Sequence, residues 1–312
     1  DRDTQTTSDT SFDQDTGEDA DADGADGGSS TTYTVAVVSD LNSSYGSTTY
    51  IDPVHGAVDF ITRRLEPDLV LSSGDMVAGQ KEGLDYRAMW DGFHAAVTEP
   101  ITEAGIPFAP TPGNHDASGY EAYEEEREIY IDEWDQRRPD VEFVEDTYYP
   151  LRYAFSVGPA LFISLDDTTI GPLGEPQMNW LETVLWQNSH YPIKVVYGHI
   201  PLWPFAEEKT DEIIGDRSLE NLLEEFDVDL FVSGHHHAYY PGQRGDIRML
   251  SMACLGAGQR ELIGESSISE RSVAVIEYDR SGISSLQAYA SPDYTVKIPR
   301  TTLPQWIEHE DV

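Results

Sequence analysis

The chain of 312 residues has a single cysteine, Cys254. An intrachain disulfide is therefore excluded. The thiol lies in the apolar run from Met249 to Leu255, which marks it as a buried structural group rather than a nucleophile. Lysine is nearly as scarce: Lys81, Lys194, Lys209 and Lys297 are the whole set. Against 19 basic side chains stand 58 acidic ones, a formal net charge of −39. Such a field repels nucleic acid and anionic surfaces, so no nucleic-acid partner is expected. No apolar run approaches the roughly 20 residues of a membrane-spanning helix, and no signal peptide is visible. There is no Walker loop and no serine nucleophile elbow, which argues against those two kinds of phosphate and acyl chemistry.

Residues 1–30 are Asp, Thr, Ser and Gly almost throughout, with ten acids and one base. They cannot bury enough apolar surface to offset chain entropy and are expected to be disordered. Such a tail fits a tether of an exported domain to a membrane or wall, the alternative being an inert solubilising tail. The expected location is extracytoplasmic (periplasmic, surface-tethered or secreted), with the cytoplasm as the alternative. The chain begins at Asp1 without a Met, which leaves room for a removed upstream segment. The remaining residues still carry −30. An acidic, lysine-poor surface of this kind matches proteins of salty habitats; the alternative is a merely acidic protein.

From Thr32 onward, apolar strands alternate with amphipathic helices. Strands are predicted at 33–39, 68–72, 106–111, 193–197 and 229–232. Helices are predicted at 54–65, 84–103 with a break at Pro100, 120–134, 177–188 and 219–226. A hairpin over 152–157 and 161–165 turns at Gly158-Pro159, and the end is β-rich at 247–253, 273–278 and 283–289. This pattern predicts an α/β sandwich of two mixed sheets flanked by helices. The domain is expected to span 31–292, with 293–312 as a C-terminal extension.

Ligand-type residues follow five of the apolar strands. They are Asp40 and Asn42 in Ser39-Asp40-Leu41-Asn42, Asp75 after Gly74, and Asn114, His115 and Asp116 after Gly113. His199 follows Gly198, and His235, His236 and His237 follow Gly234. In α/β folds, ligands bind beyond the carboxyl ends of strands. Carboxylate, carboxamide oxygen and imidazole together suit a borderline-hard divalent ion. The spacing of His235 and His237 permits one shared ion or two separate ones.

This ordered set resembles the calcineurin-like metallophosphoesterase superfamily, whose pattern is D-x-H, G-D, G-N-H-[DE], G-H and G-H-x-H. Here it reads SDLN, GDMVAG, GNHD, YGHIP and GHHH. Residues 148–167, the helix from Glu175 to Leu185 and the segment 226–240 also resemble the family, the last its purple acid phosphatase-like branch. The resemblance covers about residues 33–290. It implies two divalent ions (Mn, Fe or Zn) bridged by Asp75. Asp40 and His237 would hold the first, and Asn114, His199 and His235 the second. It implies phosphoester hydrolysis by a metal-bridging hydroxide, with His115 protonating or stabilising the leaving oxygen and Asp116 orienting its ring. There are two departures. The family's first-motif histidine is Asn42 here, a candidate ligand through its carboxamide oxygen or otherwise a loop cap. The branch's iron-binding tyrosine is replaced by Ala78, so iron–tyrosinate chemistry is not implied.

The substrate implied is a small phosphoester, mono- or diester. A rival reading is a non-catalytic binding or scaffold protein with a degraded first metal site; a second rival acts on a lipid headgroup. His55, His94, His190 and His309 read as ordinary surface or core histidines. His236 is expected only to line the site. Trp203 and Tyr239 are expected to pack, the alternative being stacking on a substrate, and the run Glu124 to Glu128 to form a solvated helix face, the alternative being a lid over the site.

Counterions screen the self-repulsion of so acidic a domain. The melting temperature should therefore rise between low and molar salt. A flat or falling value in a calorimetric series would contradict the halophilic reading.

Overall fold

The computed structural model describes residues 31–308, so the expectations for residues 1–30 and for His309 lie outside the described residues. The strands β1 (Tyr33–Val38), β2 (Leu69–Ser72) and β3 (Phe108–Ala109) run parallel in one sheet. Helix α1 (Asp52–Phe60) connects the first two and α2 (Tyr86–Phe93) with α3 (Glu99–Glu103) the next two. The predicted third strand shrinks to two residues. Pro107 and Pro110 flank it, and neither can donate a ladder hydrogen bond. The predicted break at Pro100 is instead a widened turn over His94–Thr98, where Glu99 N–H reaches back to the His94 carbonyl. That shift frees the proline ring from the usual clash one turn earlier, so the helix continues.

After α4 (Glu124–Asp135) come β4 (Glu142–Tyr148), β5 (Arg152–Val157) and β6 (Ala160–Ser164). Helix α5 (Glu175–Gln187) leads to β7 (Ile193–Tyr197), and α6 (Arg217–Glu225) to β8 (Leu230–Ser233). The chain then adds β9 (Tyr240–Arg244), β10 (Ile247–Ser251), β11 (Ser272–Asp279), β12 (Gly282–Ala290) and β13 (Val296–Lys297). One sheet has six strands in the order β13-β12-β11-β1-β2-β3, the other seven in the order β4-β5-β6-β7-β8-β10-β9. Both are mixed, as the strand alternation predicted. Strands β4, β9 and the two-residue β13 escaped the sequence reading. β4 is acidic and largely exposed, and β9 contains Pro241 and Gly242, which only an edge strand tolerates. Residues beyond 292 do not form a separate extension. Tyr294 is buried in the core and β13 pairs with β12.

Period-two alternation divides the apolar side chains of the seven-stranded sheet between two cores. Tyr153, Phe155, Phe162, Val195 and Tyr197 join the core shared with the six-stranded sheet. Ala154, Leu161, Ile163 and Val196 face the other way, onto Leu181 and Leu185 of α5 and Leu219 and Leu223 of α6. A cavity of about 700 Å³, lined by Trp203, Tyr240, Arg244 and Arg300 among others, contains none of the candidate ligands.

The acidic run on α4 is not wholly solvated. Glu124, Glu125 and Glu128 are exposed, but Glu126 is buried and accepts hydrogen bonds from Gln80 N (2.6 Å) and Ser118 N (3.3 Å). It thereby ties α4 to the loops after β2 and β3. Burial pushes its pKa from the usual 4.5 up to about 7, against the opposing pull of those backbone donors. The folded chain therefore holds a proton that the unfolded chain releases across this window. The stability linked to it is fully present at acid pH and is lost as pH rises towards 7, by up to about 3 kcal/mol. Glu126→Gln should flatten that decline in thermal melts recorded from pH 4.5 to 8. Superimposable pH profiles for the two proteins would refute it.

Candidate metal centre

The loops after β1 and β2 are zipped together, Asp40 N–H donating to Gly74 O and Asn42 N–H to Asp75 O, each at 3.0 Å. Asp40, Asp75, His235 and His237 all adopt left-handed backbone, with φ of 49°, 55°, 62° and 55°. This conformation is unfavourable for residues with a Cβ, by about 1–3 kcal/mol each where strained, and persists only where surroundings enforce it. Half of the eight such residues among those described are candidate ligands, so the strain is concentrated at one place. Gly74 before Asp75 and Gly234 before His235, together with Gly113, allow the loops to stack. A Cβ on Gly113 would lie 2.2 Å from both N and Oδ1 of Asp75.

Asp40, Asp75 and His199 are fully buried, and one ligand atom from each lies within 4.8 Å of the others. Asp40 Oδ1 is 3.0 Å from His237 Nε2, and Asp75 Oδ1 is 3.4 Å from His199 Nε2. Asn114 Oδ1 lies 3.0 Å from the same His199 nitrogen, and the rings of His199 and His235 are 5.1 Å apart. Asn42 Nδ2 donates to Asp75 Oδ2 at 3.4 Å, while its Oδ1 is buried without a hydrogen-bond partner. The side chain thus turns to the carboxylates and does not cap its own loop.

Each of the three candidate histidines has one ring nitrogen facing an acceptor. His199 Nδ1 faces Ser73 O at 2.8 Å, His237 Nδ1 faces Gly258 O at 2.6 Å, and His235 Nε2 faces Glu212 Oε2 at 2.8 Å. Such partners hold the ring and leave the second nitrogen's lone pair for a metal.

The electrostatics also suit a cation. Among the described residues, neither Asp40 nor Asp75 pairs with lysine or arginine; their charged-type neighbours are histidines. Burial alone would raise the pKa of Asp40. His237, then His199 and the Ser39 hydroxyl, outweigh it and hold the carboxyl well below its usual range. Burial likewise opposes charge on His199, but Asp75 and Asp40 prevail and raise its pKa. Two buried carboxylates with no fixed counter-charge form a field that stabilises a divalent ion.

His115 lines a cavity of about 250 Å³ together with Asn42, Tyr45, Asp75, His237 and Gly258. Its Nδ1 lies 3.0 Å from Gly79 O. The orienting role expected of Asp116 is not what the structure shows. Asp116 is buried and accepts from Met76 N (2.8 Å), Val77 N (2.9 Å) and Gly113 N (3.0 Å), clamping the two motif loops together. Three backbone donors leave its oxygens no reason to turn to the ring, and a backbone carbonyl orients His115 instead.

The expectations for His55, His94, His190, Trp203, Tyr239 and Cys254 agree with the structure, whereas His236 does not line the site. His55 and His190 are exposed, and His94 is buried against Trp90 with its Nδ1 2.7 Å from Thr98 Oγ1. Trp203 and Tyr239 are buried, and Cys254 is buried with its pKa pushed up to about 12 by burial. His236 is wholly buried, with both ring nitrogens bonded to loop backbone.

Several participants were missed. Asp167, buried, accepts from His199 N at 2.7 Å. It follows β6, so the strand-end rule that singled out the others applied to it too. Gln80 accepts from Asn114 Nδ2 at 3.0 Å. Glu212 lies in a long loop without a motif, and no local signal marks it.

A family model for calcineurin-like phosphoesterases matches residues 33–239. The chain belongs to this family, and Asp40, Asp75 and His199 form a candidate metal site. A purple acid phosphatase from yellow lupin (Lupinus luteus) seeds has a similar structure, with a TM-score of 0.63 and 18% identity over 86% of this chain. The chain spans about half the length of that protein, 53%. A dimetal phosphatase from Danio rerio matches with a TM-score of 0.53 and 14% identity, over 80% of this chain and 97% of the other. GAP50, the anchor in the inner membrane complex of Plasmodium, matches with a TM-score of 0.53 and 16% identity, over 85% of each chain. At these identities the likeness is one of fold. No curated protein matches the chain.

The contact at Gly113 makes a sharp test. Gly113→Ala must displace Asp75 and should lower bound metal per chain, measured by elemental analysis. Gly258→Ala, where a Cβ meets nothing within 4 Å, should leave it unchanged. Equal metal content in the two variants would refute the assigned packing.

Proposed function

We propose that the chain hydrolyses a small phosphoester, mono- or diester, with two divalent ions (Mn, Fe or Zn) held around Asp75. The observation that carries this reading is the division of the Asp75 carboxylate. Its Oδ1 faces His199 at 3.4 Å, beside Asn114, while its Oδ2 faces Asn42 at 3.4 Å. A carboxylate with one oxygen towards each of two ligand sets is suited to bridge. Asp40 and His237, with Asn42, would hold one ion. His199, Asn114 and His235 would hold the other. When bound, such a pair supplies a water acidified to near neutrality and positive charge against the phosphoryl oxygens.

The chain's own groups do the rest. The Gly79 carbonyl engages His115 Nδ1 at 3.0 Å, so Nε2 is the nitrogen that exchanges a proton with the leaving oxygen. Tyr45 stands edge-on to His115, with ring centroids 5.5 Å apart, and walls the same cavity. At about 250 Å³ the cavity suits a phosphoryl group with a compact substituent. The net charge of −39 disfavours polyanions, nucleic acid included. A non-catalytic role remains the rival reading, motivated by Asn42 in place of the family's histidine and by the fold shared with an anchor protein.

Turnover of paired aryl mono- and diesters before and after chelation decides between them. We expect loss of activity on metal removal and recovery on adding defined metals back; full activity in metal-free protein would overturn the proposal. Asp75→Ala should lose both ions. His115→Ala should keep its metals and lose about 10²–10⁴-fold in turnover, less for good leaving groups. An equal loss for poor and good leaving groups would remove His115 from the acid role.

A further inference from the structure

We infer that Glu212 is a positioning residue that sets the tautomer of His235, and so selects the ring nitrogen this histidine presents to a metal. The inference rests on the metal reading of the same site. His199 and His237 are held by backbone carbonyls at Nδ1 and present Nε2. His235 is held the other way round. Its Nε2 lies 2.8 Å from Glu212 Oε2, and its Nδ1 makes no hydrogen bond among the described residues. An ionised carboxylate only accepts, so Nε2 carries the proton and Nδ1 keeps its lone pair.

The loop that carries Glu212 is itself pinned. The Glu212 backbone carbonyl accepts from His236 Nε2 at 3.0 Å. The other nitrogen of that ring, Nδ1, accepts from Phe205 N at 3.1 Å and Ala206 N at 3.4 Å. His236 thus staples both ends of the 205–212 segment, which explains a buried imidazole between two candidate ligands. Lys209 pairs with the same carboxylate oxygen of Glu212 and holds it in place. One residue therefore engages consecutive histidines, its side chain on His235 and its backbone on His236.

Outer partners of this kind typically change metal affinity 10–100-fold. Metal-free wild type, Glu212→Gln and Glu212→Ala are to be titrated with Zn²⁺ by calorimetry, and the His235 ring nitrogens observed by ¹⁵N NMR. We expect the alanine variant to weaken one of two ions about 10–100-fold and to spare the other, with an unchanged metal-free melting temperature. Glutamine should lose less, because its amide oxygen still accepts the Nε2 proton. Wild type should show the Nε2–H tautomer and the alanine variant a mixture. Wild-type affinity in both variants, or an Nδ1–H tautomer in wild type, would overturn the inference. Should wild type bind fewer than two ions, the two-ion proposal fails, and the tautomer measurement on wild type still decides the role of Glu212.

Discussion

Two buried carboxylates, Asp40 and Asp75, stand at the ends of adjacent parallel strands, with no arginine or lysine among the described residues paired to them. That arrangement is unfavourable for an isolated polypeptide. Buried ionised groups need a counter-charge, and left-handed backbone at residues with side chains needs external support. Both demands are met by convergence. Ser39, His237 and the His235 backbone surround Asp40, while His115 N–H and His199 attend Asp75. Much of the remaining structure serves to hold these few atoms still.

The two sheets supply the rigidity. Strands β1 and β2 deliver Asp40 and Asp75 from one sheet, and β7 and β8 deliver His199 and His235 from the other. The strands end at the same edge because each sheet buries its inner face against its neighbour, with Tyr153 reaching across to the Pro110 carbonyl at 2.5 Å. Around this platform, polar side chains are spent on backbone rather than substrate. Asp116 clamps two motif loops, Asp167 holds the His199 amide, and Glu126 ties α4 to both. Their burial raises the pKa of each against the backbone donors that steady the charged form, with Asp75 raising that of Asp116 further. Motif residues in this chain therefore divide between candidate metal ligands and groups that build the loops carrying them. Spacing alone does not separate the two.

The sequence by itself determined the class of fold and nominated the candidate ligands. Apolar strands of four to six residues, each followed within three residues by a ligand-type side chain and in three of these four through a glycine, can be read locally because strand period and turn chemistry are local properties. Tertiary structure decided what depends on residues distant in the chain. Asp116 serves backbone rather than His115 because the β2 loop lies within its reach. Glu126 leaves the solvated face of α4 because two loop amides wait beneath it. The proline-bearing β9 becomes a strand because it lies at a sheet edge. Glu212 meets His235 because His236 fixes the loop that carries Glu212. Each of these is set by a hydrogen bond spanning several to tens of residues, whose energy depends on burial and approach. Neither quantity is written in the spacing of the motifs.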